Sequence, residues 1–223
     1  MTNTLYIAKN TQHDLGMLSN LVNRHGCITG ATGTGKTVTL QVIAQALSNE
    51  GVPVFMADVK GDLSGLAKAG VISDKAKQRL EKLGLPEPEL EATPAMFWDV
   101  FGQQGHPVRA TVAQMGPLML ARMLNLNDTQ QGVLQLVFKI AADNDMLLLD
   151  IKDLKSTLQF VGDNAAKFKT EYGNISPASI GAIQRSLIAI EEQGGDQFFG
   201  EPMLDVSDWM RTSQGKGMVN ILA

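Results

Sequence analysis

A glycine-rich run near the start of the chain carries the residue types that bind phosphate. Residues 30 to 37 read GATGTGKT. A loop that leads from a strand into a helix leaves the first N–H groups of the helix unpaired, and glycines let the backbone approach phosphate oxygens closely. The ammonium of Lys36 would lie beside the β- and γ-phosphates, and the hydroxyl of Thr37 would bind the Mg²⁺ that bridges them. The run therefore predicts binding of a nucleoside triphosphate with Mg²⁺.

The expected binding residues extend from this loop into the first turn of a helix. An alternative is a glycine-rich turn that only reverses the chain direction and binds no ligand, in which neither Lys36 nor Thr37 would need its particular side chain. All four defining positions of the pattern are present, so we favour nucleotide binding. The predicted nucleotide ligands, among which Thr37 also binds Mg²⁺, are Gly30, Ala31, Thr32, Gly33, Thr34, Gly35, Lys36, Thr37 and Val38.

Hydrolysis needs a carboxylate close to the γ-phosphate, and two apolar runs end in aspartate. Residues 52 to 57 lead to Asp58, which we expect at the carboxyl edge of a sheet, beside the γ-phosphate. Asp58 and Lys36 are therefore the candidate catalytic residues. The alternative for Asp58 is a turn or N-cap aspartate. Residues 146 to 149 form an apolar, strand-like run that leads to Asp150 in the same way, but a helix N-cap explains Asp150 equally well.

ATP is the nucleotide that the sequence favours. Residues 58 to 61 match the D-x-x-G pattern of GTPases, but only one helix and one strand separate them from Lys36. That spacing leaves no room for the switch segment that a GTPase inserts there. The sequence also has no Asn-Lys-x-Asp motif to recognise guanine. We therefore expect ATP and Mg²⁺ as cofactors.

The elements that must position these residues follow an α/β pattern. In chain order the first half predicts a strand at residues 5–8, a hairpin or loop at 10–23, a strand at 27–29, a helix at 36–49 and a strand at 52–57. The last three would form a βαβ unit whose parallel sheet is buried on both faces. Further on, helices are predicted to begin at Asn127 and at Ser176-Pro177, and residues 218–222 predict a return strand.

Composition limits the possible classes of protein. The 223 residues are 44% hydrophobic and 19% charged, which suits a folded domain and excludes a disordered chain. The net charge of −4 lacks the strong basicity of a typical DNA-binding module. A single cysteine, Cys27, is expected to be buried and to indicate a reducing compartment, with the cytoplasm as the default. No apolar run approaches the roughly 20 residues of a membrane span, so no membrane partner is expected.

Two motifs together resemble a known family. The run from His25 to Thr37 and the run DVKGDL at residues 58–63 resemble the HerA/FtsK superfamily of P-loop ATPases. Residues 121–131, 171–176 and 191–196 are similar to the bacterial YjgR-type branch of HerA-like proteins. The resemblance implies a RecA-like core, ATP hydrolysis, homo-hexameric rings and DNA as the polymer along which the full-length protein moves. It also implies Lys36 on phosphate and Thr37 on Mg²⁺.

With this resemblance, the expected fold class is α/β. The expected core is an incomplete parallel sheet of the P-loop NTPase (RecA-like) type, with a mostly helical insertion subdomain. The family's Asp-Glu pair has no counterpart before Ala223, so we expect the chain to be the N-terminal portion of a longer protein. The expected domains are an N-terminal strand or hairpin at 1–24, the P-loop βαβ core at 25–70, the helical insertion at 71–200 and a return to the core sheet at 201–223.

Three functions compete for this sequence. The leading one is an ATP-driven ring motor that acts on DNA. The second is a nucleotide-gated scaffold or regulatory module that switches partner contacts without moving along a polymer. The third is a small-molecule kinase of the P-loop class, which would need a lid with clustered arginines that the sequence does not show.

Overall fold

The computed structural model describes residues 4–223, and these divide into two compact units. The first unit comprises the chain up to Asp99 together with Asp205–Ala223, and the second unit comprises Val100–Leu204. The first unit therefore includes residues 71–99, which were expected to belong to the helical insertion. No helix of the described residues is long and apolar enough to cross a membrane.

Helices and strands alternate in the first unit, whereas helices dominate the second. The first unit begins with β1 (Thr4–Lys9), β2 (Asp14–Leu18), α1 (Lys36–Asn49), β3 (Val54–Ala57), α2 (Asp74–Leu83) and β4 (Ala95–Asp99). The second unit contains β5 (His106–Pro107), α3 (Val112–Met123), α4 (Asp128–Asp143), α5 (Ile151–Asp163), α6 (Ala165–Tyr172), α7 (Pro177–Glu192) and α8 (Gly195–Phe198). The chain returns to the first unit with β6 (Thr212–Ser213), β7 (Lys216–Gly217) and β8 (Val219–Leu222). The predicted α/β fold class is confirmed.

A parallel sheet forms the centre of the first unit. Its strands lie in the order β3-β8-β4, and β8 is parallel to both neighbours. Because β8 is the middle strand, Val219, Asn220 and Ile221 are almost completely buried. A small apolar core beside the sheet joins Val219 and Ile221 to Ala44 of α1 and to Leu63 and Leu66. The predicted return strand is thus confirmed and lies in the middle of the sheet.

The predicted strand before the glycine loop is absent. Residues 27–29 are irregular, and Cys27 is exposed. A strand needs a neighbouring strand to accept and donate its backbone hydrogen bonds, and no strand of the described residues pairs with this segment.

The expectation that the sheet is buried on both faces is also wrong, because alternate residues of β3 are exposed and Phe55 keeps 45% of its surface accessible.

A helical core of its own holds the second unit together. The helices α4, α5 and α7 bury apolar residues such as Leu134, Leu158 and Ile183 against one another. The two helix starts predicted from the sequence are confirmed: α4 has a capping box at Asn127, and α7 has Ser176 as its N-cap. The apolar run at residues 146–149 is irregular chain and not a strand. Met146 and Leu148 pack in this core, whereas Leu147 is exposed.

Candidate functional site

The glycine loop turns sharply before α1, and its glycines are required by its geometry. Gly33 and Gly35 have φ angles of +79° and +93°, a region that strains any residue with a Cβ. A Cβ on Gly30 would lie only 2.5 Å from Oγ1 of Thr34. That hydroxyl donates a hydrogen bond to the carbonyl oxygen of Ala31 at 2.8 Å, which closes the loop. Substitution of any of the three glycines would change the path of the backbone.

The loop presents backbone N–H groups at the start of a long helix. Gly35 is the N-cap of α1, and no side chain caps this helix end. Within residues 4–223, the backbone N–H groups of Gly35, Lys36 and Thr37 have no protein acceptor. Free N–H groups and the positive end of the helix dipole together attract an anion. Thr32 and Val38, also predicted as ligands, lie in the same loop and first helical turn with exposed side chains.

The ammonium of Lys36 lies over the same loop. Its Nζ donates hydrogen bonds to the carbonyl oxygens of Gly30 at 2.8 Å and of Ala31 at 2.7 Å. Neutral carbonyls bind a cation less strongly than phosphate oxygens do, because the negative charge of a phosphate adds a Coulomb attraction to the hydrogen bond. A polyphosphate can therefore displace these contacts. These contacts hold the ammonium of Lys36 over the glycine loop.

The hydroxyl of Thr37 contacts a carboxylate that was not among the predicted site residues. Oγ1 of Thr37 donates a hydrogen bond to Oδ2 of Asp62 at 3.1 Å. One helical turn further on, Nε2 of Gln41 donates to the backbone oxygen of Asp62 at 3.1 Å. The only sequence signal for this contact is that Asp62 closes the DVKGD run that starts at Asp58. The contact joins residues 25 positions apart in the chain.

Asp58 lies at the carboxyl edge of the sheet, as expected, but its carboxylate points into its own loop. Its backbone N–H donates to the carbonyl of Leu222 at 2.7 Å, and the residue is buried. Oδ1 accepts the N–H of Gly61 at 2.8 Å, with longer bonds from residues 60 and 62, and Oδ2 accepts the N–H of Leu63 at 2.9 Å. This is the turn geometry that the alternative interpretation of Asp58 predicted. A catalytic role for Asp58 stays a prediction.

Asp150 belongs to the second unit and caps a helix there. Its Oδ1 accepts the backbone N–H of Asp153 at 2.9 Å, and the carboxylate of Asp153 accepts the N–H of Asp150 in return. This capping box starts α5. The N-cap alternative for Asp150 is confirmed.

The oxygen atoms at the glycine loop suit Mg²⁺ bound with a nucleotide. The described residues contain no group of three or more His, Cys, Asp or Glu side chains that could hold a metal by themselves. In nucleotide-binding sites, Mg²⁺ is bound by one or two protein oxygens together with phosphate oxygens and water. The hydroxyl of Thr37 and the carboxylate of Asp62 are such oxygens, so these residues fit the Mg²⁺ of a bound nucleotide.

A parallel sheet and a glycine loop that opens a helix define an α/β protein of the P-loop type. The family model described as "Helicase HerA-like C-terminal" matches residues 3–223, and the chain belongs to this family. This match confirms the resemblance to HerA. A search among curated proteins found no match to the chain.

Proposed function

We propose that this chain binds and hydrolyses ATP as part of a HerA/FtsK-type motor. The observation that carries the proposal is the group of unpaired N–H donors at the start of α1, beside the ammonium of Lys36 and the hydroxyl of Thr37. Membership of the HerA-like family supports the same function. The N–H donors, Lys36 and Thr37 all lie in the first unit.

Each residue has a distinct part in this proposal. The N–H groups of Gly35, Lys36 and Thr37 bind phosphate oxygens, and Lys36 exchanges its two carbonyl partners for the β- and γ-phosphates. Bound Mg²⁺ supplies positive charge that neutralises the same phosphates. Asp58 acts as a positioning residue, because its two oxygens hold residues 60–63 in place.

Further properties are proposed from family membership. We propose a homo-hexamer and movement along DNA, which membership of the HerA-like family supports. We also propose assignment to the YjgR-type branch, which the runs at residues 121–131, 171–176 and 191–196 support. We also propose a cytoplasmic location, since the single cysteine forms no disulfide within the chain. The net charge of −4 means that any contact with DNA depends on local clusters of basic residues.

Isothermal titration of the protein with ATP and Mg²⁺ tests the proposed site. Replacement of Lys36 by alanine removes a hydrogen bond to a charged partner, which is worth about 1.5–3 kcal/mol, so we expect an affinity roughly 10- to 150-fold weaker. Lys75, an exposed lysine on α2, provides the matched control, and K75A should bind like the wild type. Equal affinity for wild type and K36A would show that the nucleotide site has been wrongly assigned.

Measurement of ATP hydrolysis with and without DNA separates the motor from the scaffold. A motor that moves on DNA should turn over faster when double-stranded DNA is added at low salt, where electrostatic binding is strongest. A nucleotide-gated module should show slow turnover that DNA does not change. K36A serves as the baseline for both measurements.

A further inference from the structure

We propose that Asp62 is the carboxylate that faces the Mg²⁺ of the bound nucleotide and makes nucleotide binding depend on the divalent cation. This inference rests on the proposed function. Its first support is the hydrogen bond between Oγ1 of Thr37 and Oδ2 of Asp62 at 3.1 Å. The hydroxyl at this position is a Mg²⁺ ligand in P-loop proteins, so a carboxylate bonded to it lies next to the cation.

The second support is the availability of the Asp62 carboxylate. Asp62 is exposed, and its Oδ1 accepts no hydrogen bond from residues 4–223. Asp58 differs, because it is buried and both of its oxygens already accept backbone N–H groups. A carboxylate that binds the water shell of a cation needs free lone pairs. Of the two aspartates in the DVKGD run, only Asp62 therefore combines contact with Thr37 and an available oxygen.

The third support is the rigid position of the loop that carries Asp62. Before Asp62 in the chain, the carboxylate of Asp58 accepts the backbone N–H of Gly61, and Gly61 adopts a φ of +72° that the turn requires. After Asp62, Leu63 is buried in the core beside the sheet. Gln41 of α1 donates a hydrogen bond to the backbone oxygen of Asp62 itself. Asp62 is thus fixed against the same helix that carries Thr37.

This arrangement has a clear electrostatic consequence. Without a divalent cation, the negative charge of Asp62 repels the triphosphate that binds beside Thr37. With the cation between them, the same charge attracts the complex. Asp62 therefore raises the affinity for the nucleotide with Mg²⁺ and lowers the affinity for the nucleotide alone.

Binding of the non-hydrolysable analogue AMP-PNP by isothermal titration tests this inference. The quantity of interest is the ratio of the dissociation constant in EDTA to that in excess Mg²⁺. We expect Asp62→Asn, which keeps the side-chain shape and removes the charge, to lower this ratio at least about tenfold, or ~1.4 kcal/mol. Glu89→Gln removes an exposed negative charge elsewhere in the first unit and should leave the ratio unchanged.

The outcomes separate the two proposals. If K36A binds AMP-PNP at least about tenfold more weakly than the wild type, while D62N keeps the wild-type ratio within twofold, the role of Asp62 is refuted and the proposed function stands. If the wild type binds no AMP-PNP in either condition, the proposed function itself fails. Asp62→Glu retains the charge and should keep most of the wild-type ratio. Equal ratios for D62E and D62N would also refute the proposal, and circular dichroism of each variant checks that it is folded.

Discussion

The buried side chain of Asn220 offers a sharp test of how the first unit is held together. Asn220 lies in the middle strand β8 and is fully buried. Its Oδ1 accepts the indole N–H of Trp98 at 3.0 Å, and its Nδ2 donates to the carbonyl oxygen of Trp209 at 2.9 Å. The side chain therefore connects β4 with the segment before β6. We predict that Asn220→Leu, which keeps a similar size, destabilises the first unit.

The size of the effect follows mainly from the two closest hydrogen-bond partners that are left behind. The buried N–H of Trp98 loses its acceptor, which costs about 1–3 kcal/mol, and the partly buried carbonyl of Trp209 loses a donor, which costs about 1 kcal/mol. Burial of the apolar leucine side chain offsets about 1 kcal/mol of this. We therefore expect a loss of about 2 kcal/mol in the free energy of unfolding and a melting temperature roughly 8 °C lower.

Urea unfolding followed by tryptophan fluorescence measures this loss directly. Both tryptophans of the chain lie in the first unit, so their signal reports on that unit. With an m-value of about 2 kcal/mol/M, the midpoint should fall by about 1 M urea. In a Trp98→Phe background, the indole N–H is already absent, so N220L should cost about 1–3 kcal/mol less. An N220L midpoint equal to that of the wild type, or an equal cost in both backgrounds, would refute the reasoning.

Two further predictions concern the second unit. The ammonium of Lys139 and the hydroxyl of Tyr172 donate to Asp143 and lower the pKa of its carboxyl, and the same carboxylate raises the pKa of Tyr172 to about 12. The contact therefore stabilises the fold through Asp143 above the ordinary aspartate pKa, and this stabilisation is lost as the pH falls through the lowered pKa. The contribution of Tyr172 has the opposite sign: it is present below the ordinary tyrosine pKa and is lost as the pH rises through about 12. We expect Tyr172→Phe to raise the pKa of Asp143, measured by NMR titration of its carboxyl carbon, and an unchanged pKa would show that the contact is absent in solution. Asp150→Ala removes the N-cap of α5 and should lower the free energy of unfolding by about 1 kcal/mol, measured by far-ultraviolet circular dichroism in urea. D150N should recover most of this loss. An unchanged free energy of unfolding in D150A would contradict the capping box.

The glycine loop and several helices could be predicted from the sequence because their determinants are local. The helix that follows the loop was predicted at 36–49, and α1 has the same bounds. Helix hydrogen bonds join residues four apart, and caps join residues two or three apart, so Asn127 and Ser176 marked the starts of α4 and α7. The return strand could also be recognised, because a short run of apolar residues near the chain end suits a buried strand.

Relations between distant parts of the chain were decided only by the tertiary structure. The apolar run at 27–29 resembles a strand, but strand pairing depends on a partner that the run itself does not specify. The sequence left two interpretations of Asp58 open, a place beside the γ-phosphate and a turn aspartate. The structure turns its carboxylate toward residues 60–63 and brings Asp62 to Thr37.

The sequence alone thus determined the residue types of the proposed phosphate-binding loop, because they lie in eight consecutive residues and the helix that follows them. The tertiary structure decided which carboxylate accompanies the loop and which strand lies in the middle of the sheet. The physical reason is separation along the chain. Thr37 and Asp62 are 25 residues apart, and Trp98 and Asn220 are 122 apart. Such contacts depend on how the whole unit packs, and no local pattern encodes them.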